Sequence, residues 1–151
     1  MKKIMLFLIT IIVALSIVPT AFAAQEGNAY IEYLDDGSYL VVSIESSQIS
    51  KITNTKSAKK TITHKESNGE VLWSATLKGT FSYTGSSAIC KSSSVTYSIT
   101  NDAWKIASAT ATKSGNKALA DIVAKKYTLG VPFKTIEKTI TITCSNDGTI
   151  S

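Results

Sequence analysis

Between Gly69 and Cys90 the chain reads GEVLWSATLKGTFSYTGSSAIC. Val71, Trp73, Ala75, Leu77, Phe81 and Tyr83 take the odd positions, and Ser74, Thr76, Lys78, Thr80 and Ser82 the even ones. Side chains alternate faces along a strand, so this stretch has one apolar wall and one polar wall. The thirteen residues from Val71 to Tyr83, at ~3.3 Å each, would run roughly 43 Å, more than most strands reach. Gly79 interrupts the run, and a residue without Cβ permits a bulge or a sharp bend. The pattern predicts one long strand, bent at Gly79, that serves both layers of a two-layer β protein and buries Trp73.

The flanking segments extend the same theme. Leu40, Val42 and Ile44 alternate along a strand that starts at Tyr39, while Ser46 to Lys56 is polar and reads as a loop or weak strand. Ser57 to Lys65 reads as a strand with Ile62 buried and its lysines outward. Asn68-Gly69 tolerates the positive φ of a tight primed turn and folds that strand back as a hairpin. Cys90 lies on the even face of the following segment, but Val95, Tyr97 and Ile99 lie on the odd face. The change of parity predicts an irregularity near Lys91–Ser94. Residues 116 to 127 fit a helix through Leu119, Ile122, Val123 and Lys126, and a strand through Ala118, Ala120, Ile122 and Ala124. Ile136, Ile140, Ile142 and Cys144 share one face of the last strand. Short strands between turn signals favour an all-β fold, an antiparallel β-sandwich of about seven strands.

The first residues have the form of an export signal. Lys2 and Lys3 precede an apolar run, Ile4 to Val18, and Ala21-Phe22-Ala23 offers a small-x-small cleavage site. The run is shorter than the ~20 residues a membrane span needs. This divides the chain into a signal peptide at 1–23, a flexible lead-in at 24–37 and a single sandwich domain at 38–151. The mature protein is expected to be secreted, with no membrane span. All 16 basic residues are lysine, and the formal charge is +5 before the two leader lysines are removed. Specific nucleic-acid recognition leans on the arginine fork, which is absent, so no specific nucleic-acid partner is expected. A mildly basic exported surface suits anionic wall polymers. Cys90 and Cys144, an exported pair in a small domain, are expected to form a disulfide. The closed loop would contribute roughly 4 kcal/mol on a chain-entropy argument.

Catalytic chemistry finds little footing. His64 is the one histidine, it falls on the presumed polar face of its strand, and no G-x-S-x-G elbow occurs. Asp35, Asp36, Glu66, Glu70, Asp102, Glu137 and Asp147 lie mostly in turns or beside lysines, where a solvated β surface puts its charges. Asp35-Asp36-Gly37 and Asn146-Asp147-Gly148 lack the remainder of a calcium loop. One histidine and two distant cysteines cannot complete a zinc site, so neither metal nor cofactor is expected. Trp104, Tyr30, Tyr33 and Tyr39 are the candidate contact residues, because flat aromatics stack on sugar rings. The spacing of Cys90, Trp104 and Cys144 approaches that of an immunoglobulin domain. Ile142, however, stands where the corner tyrosine belongs, and too few residues follow Cys144 for a final strand.

Three strings, YLDDGSYLVVSIE, SNGEVLWSATLKGTFSYTGSSAIC and YTLGVPFKTIEKTITITCSNDGTIS, resemble a family of small exported proteins of Gram-positive bacteria. The similarity runs from about Tyr33 to the end. The resemblance implies a strand over Ala118–Lys126 and carries no assigned activity and no site residues. The expected function is therefore a secreted, non-enzymatic module that binds a glycan, wall polymer or protein at the cell surface or in the medium. The alternatives are a small polysaccharide hydrolase and a secreted inhibitor or immunity-type factor.

Overall fold

The computed structural model describes residues 29–151. The expected signal peptide and its cleavage site lie outside the described residues. Eight strands follow one another: β1 (Ala29–Tyr33), β2 (Tyr39–Ser50), β3 (Thr55–Lys65), β4 (Val71–Tyr83), β5 (Ala88–Ile99), β6 (Trp104–Ser114), β7 (Lys117–Thr128) and β8 (Val131–Thr143). Strands β1 to β5 form one antiparallel sheet in chain order, and β6 to β8 form a second. The two pack face to face as an all-β sandwich with one strand more than the pattern predicted. Each sheet is a simple meander, unlike the Greek-key connections of an immunoglobulin domain.

The long strand stays in one layer. Gly79 pairs with Ala58 on one side and Ser93 on the other, with no break in register at that point. The bend expected there is absent. A Cβ at Gly79 would lie 2.7 Å from the Phe81 ring and 3.0 Å from the Ala118 Cβ. Glycine therefore makes room for an aromatic ring clamped beneath the facing sheet. The irregularity lies instead at Lys91, skipped between the Thr80–Ser92 and Phe81–Cys90 pairs, where the parity of β5 changes.

The core is the sum of the inward walls. Leu40, Val42, Ala58, Ile62, Trp73, Ala75, Leu77 and Phe81 come from the large sheet, and Ala118, Ala120, Ile122, Ala124, Ile136, Ile140 and Ile142 from the small one. The ambiguous stretch is a strand, β7, because it is hydrogen-bonded on both sides, to β6 and β8. A helix would leave those two neighbours with open edges in the middle of a layer.

Turn chemistry differs from expectation at one place. At Asn68-Gly69 only Gly69 has positive φ, and its N–H donates to the Glu66 carbonyl. Leu34–Gly37 and Ser145–Gly148 repeat that loop. A two-residue turn with positive φ at both residues occurs at Leu129-Gly130, with φ of 50° and 81°, on the exposed tip of the β7–β8 hairpin.

Two further expectations are corrected. The lysines of β3 do not all point outward: Lys56 and Lys60 share the face of Ile62. Their ammonium groups reach the Gly148 and Thr141 carbonyls at 2.6 and 3.0 Å. Cys90 and Cys144 are buried free thiols, not a disulfide. Their backbone N–H groups donate to the adjacent residues Gly115 and Asn116, so both flank the β6–β7 turn. Each sulfur turns to a carbonyl of its own segment, Cys90 to Ser92 at 3.2 Å and Cys144 to Ser145 at 3.5 Å. Burial pushes both thiols above their ordinary pKa, which keeps the reactive thiolate scarce.

Replacing Gly79 by Ala should lower stability by about 1–3 kcal/mol, the cost of overpacking a filled core. Urea unfolding compared with wild type measures it. An unchanged midpoint would show that the Phe81 ring moves aside freely.

Candidate functional site

The two sheets meet along two open sides, and the side between β1 and β8 gathers most of the candidate contact residues. Tyr30 pairs with Val42 and Glu32 with Leu40, both buried partners, so Tyr30 and Glu32 lie on the inward face of the edge strand. Tyr33 pairs with Tyr39 on the opposite face, their rings 5.8 Å apart. On β8, Lys134 and Lys138 share the inward face of Ile136, Ile140 and Ile142. Lys138 pairs with Glu32, and Lys134 with Asp36 in the β1–β2 turn. These ion pairs, together with Lys60 on the Thr141 carbonyl, tie the edge of β8 to the large sheet without a backbone ladder.

Two adjoining clefts result. One of about 150 Å³ is floored by Leu40, Val42, Ile62 and Ile140 and rimmed by Tyr30, Glu32 and Lys138. The other, of about 450 Å³, lies between Tyr33, Asp36, Lys134 and Glu137. Glu32 and Lys138 belong to both. Tyr33 is 74% exposed and Tyr30 57%, while Tyr39 is half-buried. Aromatic rings thus flank a furrow of ionic groups and hydroxyls, including Thr135 and Thr139.

Trp104 does not belong to this surface. It is buried, with the His64 ring 4.9 Å away edge-on and Trp73 at 6.4 Å. His64, expected on the surface, is wholly buried between the two indoles because it continues the inward face of Ile62. A hydrogen-bonded chain leads from it to the cleft. His64 Nε2 is 2.9 Å from Ser38 Oγ, which donates to Asp36 Oδ1 at 2.6 Å. The single hydroxyl proton of Ser38 is committed to the carboxylate, so His64 Nε2 carries a proton and donates to Ser38. The imidazole is the Nε2–H tautomer, and among the described residues its Nδ1 is buried without a partner, as are both indole N–H groups.

The order of this chain decides its chemistry. In a hydrolase the histidine takes the serine proton and the acid orients the histidine. Here the acid holds the serine, the histidine is the donor, and Ser38 is buried. In this order the hydrogen bonds anchor the β1–β2 turn over the core. The Lys134 ammonium and then the Ser38 hydroxyl hold Asp36 well below the usual carboxylate range. Burial first, then the Lys134 charge, pushes His64 down to about 4. No group of three or more His, Cys, Asp or Glu side chains that could hold a metal ion occurs among the described residues.

Sequence reasoning singled out Tyr30 and Tyr33, which lie beside this cleft, read Asp36 as a turn residue, and did not single out Glu32, Lys134 or Lys138. These residues lie about a hundred positions apart in the chain, and only folding brings β1 against β8. Lys134 and Lys138 do share the parity of the isoleucines of their strand, which signals inward-pointing charge.

Two outcomes are expected. Unfolded histidine titrates near 6.5, so between that value and about 4 the unfolded chain binds the proton that the folded chain excludes. Stability is complete above pH ~6.5 and falls towards pH 4, by up to about 1.4 kcal/mol per unit. Urea midpoints at stepped pH measure the slope, which His64→Phe should remove from that window. Trp104→Ala should cost about 3–5 kcal/mol, as for other buried tryptophans. A loss below ~1 kcal/mol would place it on the surface.

No family model, no curated protein and no solved structure matches this chain.

Proposed function

We propose that the protein is an exported, non-catalytic binding module whose β1–β8 cleft takes a glycan or glycan-like wall polymer. The observation that carries this reading is the pair of solvent-exposed tyrosines, Tyr30 and Tyr33, beside a furrow lined by carboxylates, ammonium groups and threonine hydroxyls. Sugars present flat C–H faces to aromatic rings and a rim of hydroxyls to polar groups, and the cleft offers both. The ion pairs across the furrow fix its polar groups before a ligand arrives, which reduces the ordering cost of binding.

Export is the reading of Lys2, Lys3, the apolar run to Val18 and Ala21-Phe22-Ala23, in line with the resemblance to small exported proteins of Gram-positive bacteria. Among the described residues no helix is long and apolar enough to cross a membrane. Asp36 is unsuited to be the acid of a glycosidase. A glycosidase needs one carboxyl that keeps its proton near neutral pH, and Lys134 drives Asp36 the other way.

Affinity electrophoresis through gels containing soluble neutral or anionic polysaccharides tests the proposal. The mature chain should be retarded by at least one polymer. Tyr33→Ala should weaken that binding about tenfold or more with an unchanged melting temperature. Failure to bind any polymer, or the release of reducing ends from one, would overturn it.

A further inference from the structure

The opposite side of the sandwich, between β5 and β6, is built differently. Among the described residues both strands are edges: β5 pairs only with β4, and β6 only with β7. They meet at both ends: residues 100–103 join Ile99 to Trp104 at one, and at the other Cys90 N–H donates to the Gly115 carbonyl and Lys113 Nζ to the Lys91 carbonyl, which leaves the gap between them. Among the described residues, no backbone hydrogen bond joins Ser92–Ile99 to the facing stretch of β6.

The side chains beside these edges are not those of a finished surface. Tyr97 pairs with Ala75 and Ile99 with Trp73, so both lie on the inward face of the large sheet. Their partners are buried, yet Tyr97 is 54% exposed and Ile99 39%. Ile106, Ala109 and Ala111 pair with buried residues of β7 and are themselves only half-covered. An inward apolar wall is left part-open because the small sheet has three strands against five. The β8 edge, by contrast, carries Pro132, a register shift beside Phe133, the Lys60 ammonium and two ion pairs, devices that discourage strand addition. Beyond the irregularity at Ala107, β6 runs in unbroken register from Ser108 to Ser114 and contains no proline.

We propose that an extended segment of a partner protein adds to the free edge of β6 as the fourth strand of the small sheet. Its backbone takes up the unpaired N–H and C=O groups of Ser108–Thr112. Its alternate apolar side chains cover Tyr97, Ile99 and Ile106. Charge states the chemistry of that segment: β5 and β6 carry Lys91, Lys105 and Lys113 and no carboxylate, and among the described residues none of these lysines is in an ion pair. The partner segment is therefore apolar on one face and acidic at its ends. This surface is separate from the β1–β8 cleft, and the proposal stands or falls independently of glycan binding.

The probe is a synthetic peptide of alternating Val and Thr with Glu residues at both ends, labelled and titrated onto the mature chain. Binding should protect the amides of Ser108–Thr112 from hydrogen exchange and disappear when alternate peptide nitrogens are methylated. That change removes donors along one edge and leaves the side chains intact. The combined Lys91→Glu and Lys113→Glu variant should weaken binding about tenfold or more, and Tyr97→Ser, on an exposed position, should weaken it without altering the fold. Absence of binding at millimolar peptide would overturn the proposal. So would indifference to methylation, or protection away from β6. Concentration-dependent protection of the same amides without peptide would also overturn it, making a second copy of the chain the occupant.

Discussion

Everything in this fold rests on the contact between the apolar wall of β4 and the alanine-rich face of β7. Phe81 folds over Gly79 and meets Ala118, while Ala120, Ile122 and Ala124 continue the facing surface. Small residues on one wall and large rings on the other let two sheets approach at core density. Because β4 is an interior strand of the large sheet and β7 the middle strand of the small one, loss of this contact would strip inner cover from both.

The two sheets differ in width. A five-stranded sheet facing a three-stranded one leaves its inward margins incompletely covered. The protein treats its two margins differently. At the β1–β8 side the inward positions are charged, and Glu32–Lys138 and Asp36–Lys134 bridge the layers. The result is a furrow with fixed polar groups. At the β5–β6 side the inward positions stay apolar and the edges stay unpaired. A polar furrow suits a hydroxylated polymer; an apolar margin with open backbone groups suits another strand.

Between these margins sits the buried aromatic cluster of Trp73, His64 and Trp104. Its polar thread, His64 to Ser38 to Asp36 to Lys134, joins the deepest part of the core to the rim of the cleft. The thread couples the state of the imidazole to the position of the β1–β2 turn. The depressed pKa of His64 and the suppressed pKa of Asp36 are two consequences of one arrangement. Burial disfavours the imidazolium, and Lys134 both repels it and attracts the carboxylate.

Alternation of side chains was enough to read the all-β class, the hidden face of Trp73, the parity break in β5 and the inward isoleucines of β8, because period-2 patterning is a local property. The same local pattern was silent on which strands would be edges, since an inward lysine looks outward until a neighbouring edge offers it a carbonyl or carboxylate. Lys60 was read as surface charge for that reason, and the parity of Lys134 and Lys138 gave their face but not their partners. Trp104 and His64 were misplaced because each is buried by the other and by Trp73, across a sequence gap that no window spans. The cysteines illustrate the limit most plainly. Their export context argued for a bridge, whereas the tertiary structure seats both beside one turn with each sulfur directed to its own backbone. Composition and alternation determined what kind of layers this chain makes; the packing of unequal layers decided where they stay open.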